Sequence, residues 1–177
     1  MFDKNIIIKG HHATYMKKLV SKFDSSLSQG IFDRNLDVYL IAPIVGKLFN
    51  RKSVVDNDVK DDTSIHTEQI NSVMDQLEFN YRIIMMLEDK EKVDIETRTN
   101  KAFRYDRDIE NRKSGDAIFE QYVLGGIEVL YEKIMLETND TDEYLRKMYQ
   151  FISEFYNRYF SEIDNEDIYK LCKLAGS

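Results

Sequence analysis

The sequence is poor in chain breakers. It has one proline and seven glycines in 177 residues, where average usage gives about nine and about twelve. Its single cysteine, Cys172, excludes an internal disulfide framework and a cysteine-rich zinc site. No apolar run reaches the roughly 18 residues that a membrane-spanning helix needs. The triplet Ile6–Ile8 is too short for the apolar stretch of a signal peptide. Several signatures are missing as well. There is no G-x-S-x-G nucleophile elbow, no phosphate-cradling G-x-x-x-x-G-K-[ST] or G-x-G-x-x-G, and no H-E-x-x-H. The E-x-x-H of carboxylate-bridged di-iron bundles is also absent. These absences point to a cytoplasmic, compact protein with no membrane segment, no metal, no cofactor and no recognisable catalytic constellation.

What the chain does have is apolar surface and charge: 42% hydrophobic and 32% charged residues. That is too much apolar content for a disordered chain. A chain of this length buries about 70% of its unfolded surface. Few breakers and many Leu, Met, Glu and Lys favour helices. Tyr15, Leu19 and Phe23 recur at a four-residue step, which predicts a helix over 11–24. Residues 31–50 are the most apolar, with Asp33 as a candidate N-cap. Pro43 removes a helix hydrogen bond, which predicts a kinked or broken second helix, with a buried strand at Val38–Ala42 as the alternative. The charge-rich stretch 51–63 reads as a loop. Further helices are expected to about residue 88, over 94–112, from Ser114–Asp116 onward, over 141–161, and briefly over 165–174. Ile6–Ile8 is left open between strand, helix start and docking tail. The expected fold is therefore all-α: one compact domain over residues 1–177, a bundle of about six helices.

The net charge of −7 disfavours wholesale wrapping of nucleic acid but is unevenly spread. Residues 1–54 carry +5 and the remainder −12. Candidate contacts for an anion or nucleic acid are Lys9, His11, His12, Lys17, Lys18, Lys22, Arg34, Lys47, Arg51 and Lys52. Arg104 and Arg107 extend the set, because exposed arginine beside Tyr105 suits a phosphate, a stacked base or a protein interface. Arg104 and Asp108 stand four apart, a spacing that pairs on a helix. His11 and His12 are sequence neighbours, which on a helix sets them about 100° apart and argues against a shared metal. The acids Asp56, Asp58, Asp61 and Asp62 lack calcium-loop spacing and read as a solvated loop.

The last long helix carries two apolar stripes. Tyr144, Met148, Phe151, Phe155 and Tyr159 form one; Leu145, Tyr149, Ile152, Tyr156 and Phe160 form the other. This exceeds what one core-facing stripe requires and marks Tyr149, Tyr156, Phe160 and Tyr105 as candidate interface residues. Gly125 and Gly126, inside a helical run, allow another backbone to approach closely. The leading expectation is a non-enzymatic adaptor or regulatory subunit, assembling with itself or with a partner protein through its aromatic C-terminal helices. The alternatives are a nucleic-acid accessory protein using the basic N-terminal face, and an enzyme using Arg104, Arg107 and His11 or His12 on a phosphorylated substrate.

Overall fold

A computed structural model describes residues 2–25, 27, 30–56, 58–105 and 108–159. Among these the chain is mostly helical, as expected, with seven α-helices and one two-stranded sheet. The order is β1 (Ile6–Lys9), α1 (His11–Val20), α2 (Asn35–Leu48), β2 (Asp62–Ile65), α3 (Thr67–Asn71), α4 (Met74–Leu87), α5 (Ile95–Thr99), a π-helical turn (Asn100–Arg104), α6 (Ile109–Ile134) and α7 (Thr141–Tyr159). The chain divides into two compact units, residues 1–136 and 137–177.

In the first unit α6 runs through the centre. Tyr122 to Ile127 are all buried, so the helix is covered on every side over nearly two turns. Its main partner is α2. A Cβ at Gly126 would sit 1.8 Å from the Ala42 carbonyl oxygen, and one at Gly46 would sit 2.1 Å from that of Tyr122. The two backbones therefore cross in near contact, which only glycine on both sides permits. An aromatic cluster seals one end of this crossing: Phe119 meets Phe2 edge-on at 5.7 Å and Tyr81 at 5.6 Å.

α2 runs unbroken through Pro43, which overturns the expected break and the strand alternative. A proline inside a helix costs about 3 kcal/mol. Here Leu36, Val38, Tyr39, Ala42 and Val45 are all buried, and burial at that density outweighs the cost. In the turn before the proline, the Asn80 amide donates to the Leu40 carbonyl at 2.8 Å. The N-cap is Arg34, one residue later than Asp33. Its N–H donates to Asp37 Oδ2 at 3.0 Å, so the acid that closes the first turn lies inside the helix.

The open reading of Ile6–Ile8 resolves as a strand. Ile6, Ile7, Ile8 and Lys9 pair antiparallel with Ile65, Ser64, Thr63 and Asp62. The alternation is that of a half-buried strand: Ile8 and Ile65 are buried, while Ile7 is exposed. The segment expected as loop thus ends in a strand, whose partner lies far back in the sequence.

Other boundaries shift for local reasons. α1 ends at Val20, where Ser21 turns extended and its hydroxyl donates to the Lys18 carbonyl. The stretch 94–112 is not one helix. Asp94 caps α5 by accepting from the Thr97 N–H, and Asp108 caps α6 by accepting from the Asn111 N–H. Arg104 accordingly bonds to Asn100 Oδ1 at 2.9 Å, and Asp108 serves as a cap instead of pairing with it. The proposed helix over 165–174, Cys172, Phe160 and Arg107 lie outside the described residues.

Candidate functional site

A dense polar cluster in the first unit forms where β1 turns into α1. Gly10 adopts φ +69°, a left-handed conformation that glycine takes without strain. A Cβ there would lie 2.2 Å from the Asp56 carbonyl oxygen. This turn places His11 and His12 in the first turn of α1, against the segment 51–56. That segment lies along α6: the Ser53 N–H donates to the Gln121 carbonyl at 3.0 Å, and the Arg51 carbonyl would meet a Cβ at Gly125.

From α6, Glu128 completes the cluster. Its Oε1 lies 3.0 Å from His12 Nε2 and 3.4 Å from His11 Nε2, and it accepts from the Ser53 hydroxyl at 2.5 Å. Ser53 Oγ is also 3.2 Å from His12 Nε2. The other carboxylate oxygen of Glu128 is 3.4 Å from the Arg51 guanidinium, which also pairs with Glu132 at 3.1 Å. Behind His11, Nδ1 is 2.8 Å from Asp56 Oδ2. Asp56 Oδ1 accepts from the Asp58 N–H.

The two rings are not splayed apart, as sequence adjacency led us to expect. Their centroids are 3.9 Å apart. At the start of a helix the first residue has no preceding turn to pack against, so its ring is free to fold over its neighbour. The two imidazoles differ in burial: His12 is fully buried, while His11 is about one-third exposed. Burial and the neighbouring His11 hold the His12 pKa below its ordinary value. Burial also works against the charged form of His11, but hydrogen bonds to Asp56 and Glu128 outweigh it and raise that pKa. Burial would raise the Glu128 pKa, yet its bonds to Ser53, His11 and His12 lower it. His11, His12 and Glu128 each offer one ligand atom, all within 4.8 Å of one another. Two imidazoles and a carboxylate can hold a proton or a divalent cation.

A second polar cluster stands between α2, α4 and α6. Glu88, almost fully buried, is 3.0 Å from the Lys47 ammonium, pairs with Lys52 and accepts from the Tyr122 hydroxyl at 2.6 Å. Separately, a cleft of about 770 Å³ is lined by β1, Tyr39, Met74, Glu78, Arg112 and Glu120 among others. It includes no member of either cluster.

The basic residues singled out from sequence are thus distributed among several partners. His11, His12 and Arg51 meet around Glu128, and Lys47 and Lys52 around Glu88. Lys17 pairs with Asp61 at 2.5 Å and Arg34 with Asp37 at 2.8 Å. Lys18 donates to the Tyr131 hydroxyl at 3.3 Å. Lys9 and Lys22 are exposed. Arg104 is exposed on the π turn, with Tyr105 half-buried beside it. In the second unit, Tyr149 is 73% and Tyr156 61% exposed. Glu128, Ser53, Glu88 and Tyr122 were not singled out from sequence. The one available signal was Glu128 standing as a lone acid in VLGGIEVLY, where an apolar helix face leaves an acid no solvent of its own.

Among curated proteins and among solved structures, nothing matches this chain. A family model does match, that of DNA sulphur modification system-associated protein 4, over residues 9–170. The matched stretch contains α1, α2, α6 and every residue of the histidine–carboxylate cluster. On that match, which takes in nearly the whole sequence, the chain belongs to the DNA sulphur modification system-associated protein 4 family.

Proposed function

We propose that the chain is an accessory adaptor of a DNA sulphur-modification system, and that it docks a protein component of that system on α7. One observation carries the reading. Leu145, Tyr149, Ile152 and Tyr156 are all exposed and follow each other at steps of four, three and four. That is the spacing of a single helix face built to meet another helix. Tyrosines suit such a face because each presents an apolar ring and a polar tip. The family description supports association with the modification machinery. The pairing of Lys17, Arg34, Lys47, Arg51 and Lys52 with carboxylates of the same chain supports a protein partner over DNA, because a paired lysine releases little counterion on meeting a phosphate.

The test is purification of the untagged protein from its own cells, with and without nuclease. A component of the sulphur-modification system that elutes with it in fixed ratio, survives nuclease and is lost in the Tyr149→Ser/Tyr156→Ser double variant supports the adaptor. A component lost on nuclease treatment transfers the contact to DNA and to the basic residues of the N-terminal third. Elution as a dimer alone, abolished by the same double variant, assigns the stripe to self-association and removes the adaptor reading.

A further inference from the structure

We propose that His11, His12 and Glu128 form a binding site for one divalent transition-metal ion, with Asp56 orienting His11 from behind. The inference does not depend on the adaptor reading, since it concerns the first unit and not α7.

The geometry carries it in four steps. An ion bonded to nitrogen and oxygen at about 2.1 Å, with bond angles of about 90–110°, holds its donors about 3.0–3.4 Å apart. Glu128 Oε1 stands 3.0 Å from His12 Nε2 and 3.4 Å from His11 Nε2. Next, a metal-bound histidine almost always donates its other ring N–H to a carboxylate or carbonyl, which fixes the tautomer. For His11, Asp56 Oδ2, 2.8 Å from Nδ1, is that carboxylate, whereas the buried His12 Nδ1 has no hydrogen-bond partner among the described residues. With the proton on His11 Nδ1, the Nε2 lone pair faces the carboxylate oxygen of Glu128, and two acceptors in that position are reconciled by a metal ion or a second proton between them.

Third, Glu128 Oε1 is crowded. The Ser53 hydroxyl and both histidine nitrogens lie within 3.4 Å of it, and one oxygen has two lone pairs to share among them. An ion replaces two of these contacts by one bond and leaves Ser53 to orient the carboxylate. Fourth, the surrounding charge favours a cation. Among the described residues that touch the cluster, Asp56, Glu128 and Glu132 face one permanently charged cation, Arg51, which lies on the opposite oxygen of Glu128. Two imidazoles and one carboxylate favour zinc, iron(II), cobalt or manganese over magnesium and calcium, which prefer oxygen donors throughout. The partial exposure of His11 leaves the ion a side open to water or to a further ligand.

The test uses the full-length, untagged protein, stripped with chelator and titrated with cobalt(II), whose visible bands report nitrogen coordination, then with zinc(II) in competition. The expected result is saturation at one equivalent with micromolar or tighter affinity. Asp56→Asn should weaken binding about 10- to 100-fold. His11→Ala and Glu128→Gln should weaken it by more, while each keeps the metal-free circular dichroism spectrum of the parent. Zinc should raise the unfolding midpoint of the parent by mass action and leave those two variants unmoved. The proposal is overturned if the parent shows no saturable one-equivalent spectrum, which would make the cluster a proton-bridged histidine–carboxylate network. It is equally overturned if His11→Ala and Glu128→Gln bind cobalt as the parent does.

Discussion

Single atoms decide much of this structure. At Gly126 the space for a methyl group is already occupied by the Ala42 carbonyl oxygen, and relief would require α2 and α6 to separate. Gly126→Ala should therefore cost on the order of 2–3 kcal/mol, read as a lowered urea midpoint with an unchanged slope. Glu88 contributes to the acid limb. Burial alone would raise its pKa, but Lys52, Tyr122 and Lys47 hold it below the usual carboxylate value. Because the folded-state pKa is the lower one, the stabilisation is complete above the unfolded value of about 4.3 and disappears as pH falls through the folded value. In Glu88→Gln, two lysines lose their counter-charge, with an expected loss on the order of 2 kcal/mol at neutral pH. The variant's stability should also change less than the parent's between pH 5 and pH 3, a comparison that urea unfolding at each pH would make. If the two curves stay parallel, Glu88 is not the group responsible.

At the scale of elements, β1 shows what a sequence pattern can and cannot disclose. Ile8 is buried and Ile7 is exposed. Ile8→Ala should cost about 2–5 kcal/mol, while Ile7→Thr should stay within about 0.5 kcal/mol, both read by thermal or urea unfolding. Three isoleucines signal β-propensity, but the strand becomes real only when Asp62–Ile65 arrives beside it, and no local window contains both. The helices were more legible. Their apolar spacing depends on neighbours three and four residues away, so α1, α6 and α7 were placed to within about five residues and α4 at its C-terminal end only. Pro43 misled because its penalty is local, whereas the burial that overrides it comes from α6. α5 and the π turn were misjudged because Asp94 and Asp108 cap locally inside a run that otherwise looks continuous. On α7, the 73% exposure of Tyr149 predicts that Tyr149→Ser alone shifts the melting temperature little while weakening the partner's binding.

At the scale of the whole molecule, charge segregation has a structural outlet. Much of the basic N-terminal third is spent on acids from later in the chain: Lys17 on Asp61, Lys47 and Lys52 on Glu88, Arg51 on Glu128 and Glu132. The asymmetry was legible in the sequence, and its internal use was not. The candidate site was half legible for the same reason. His11, His12 and Arg51 stood out as residue types, but Glu128 is 116 or more positions from the histidines and 77 from Arg51, and the packing of α6 against α1 and α2 brings it back. Because these cations face their own chain, duplex DNA binding at physiological salt should be weak. Lys17→Glu/Lys18→Glu should change it little, a point that fluorescence anisotropy on a labelled duplex would check.

The central position of α6 also constrains how the chain is made. The ribosome delivers α1, the glycine-notched face of α2 and both histidines well before it delivers Gly126 and Glu128. Until then α2 lacks its main partner, and the imidazoles have no acid from α6. The contacts of the N-terminal half with α6 can therefore form only after α4 through α6 are translated. A pause in translation over that interval would lengthen the exposure of the glycine-notched face of α2.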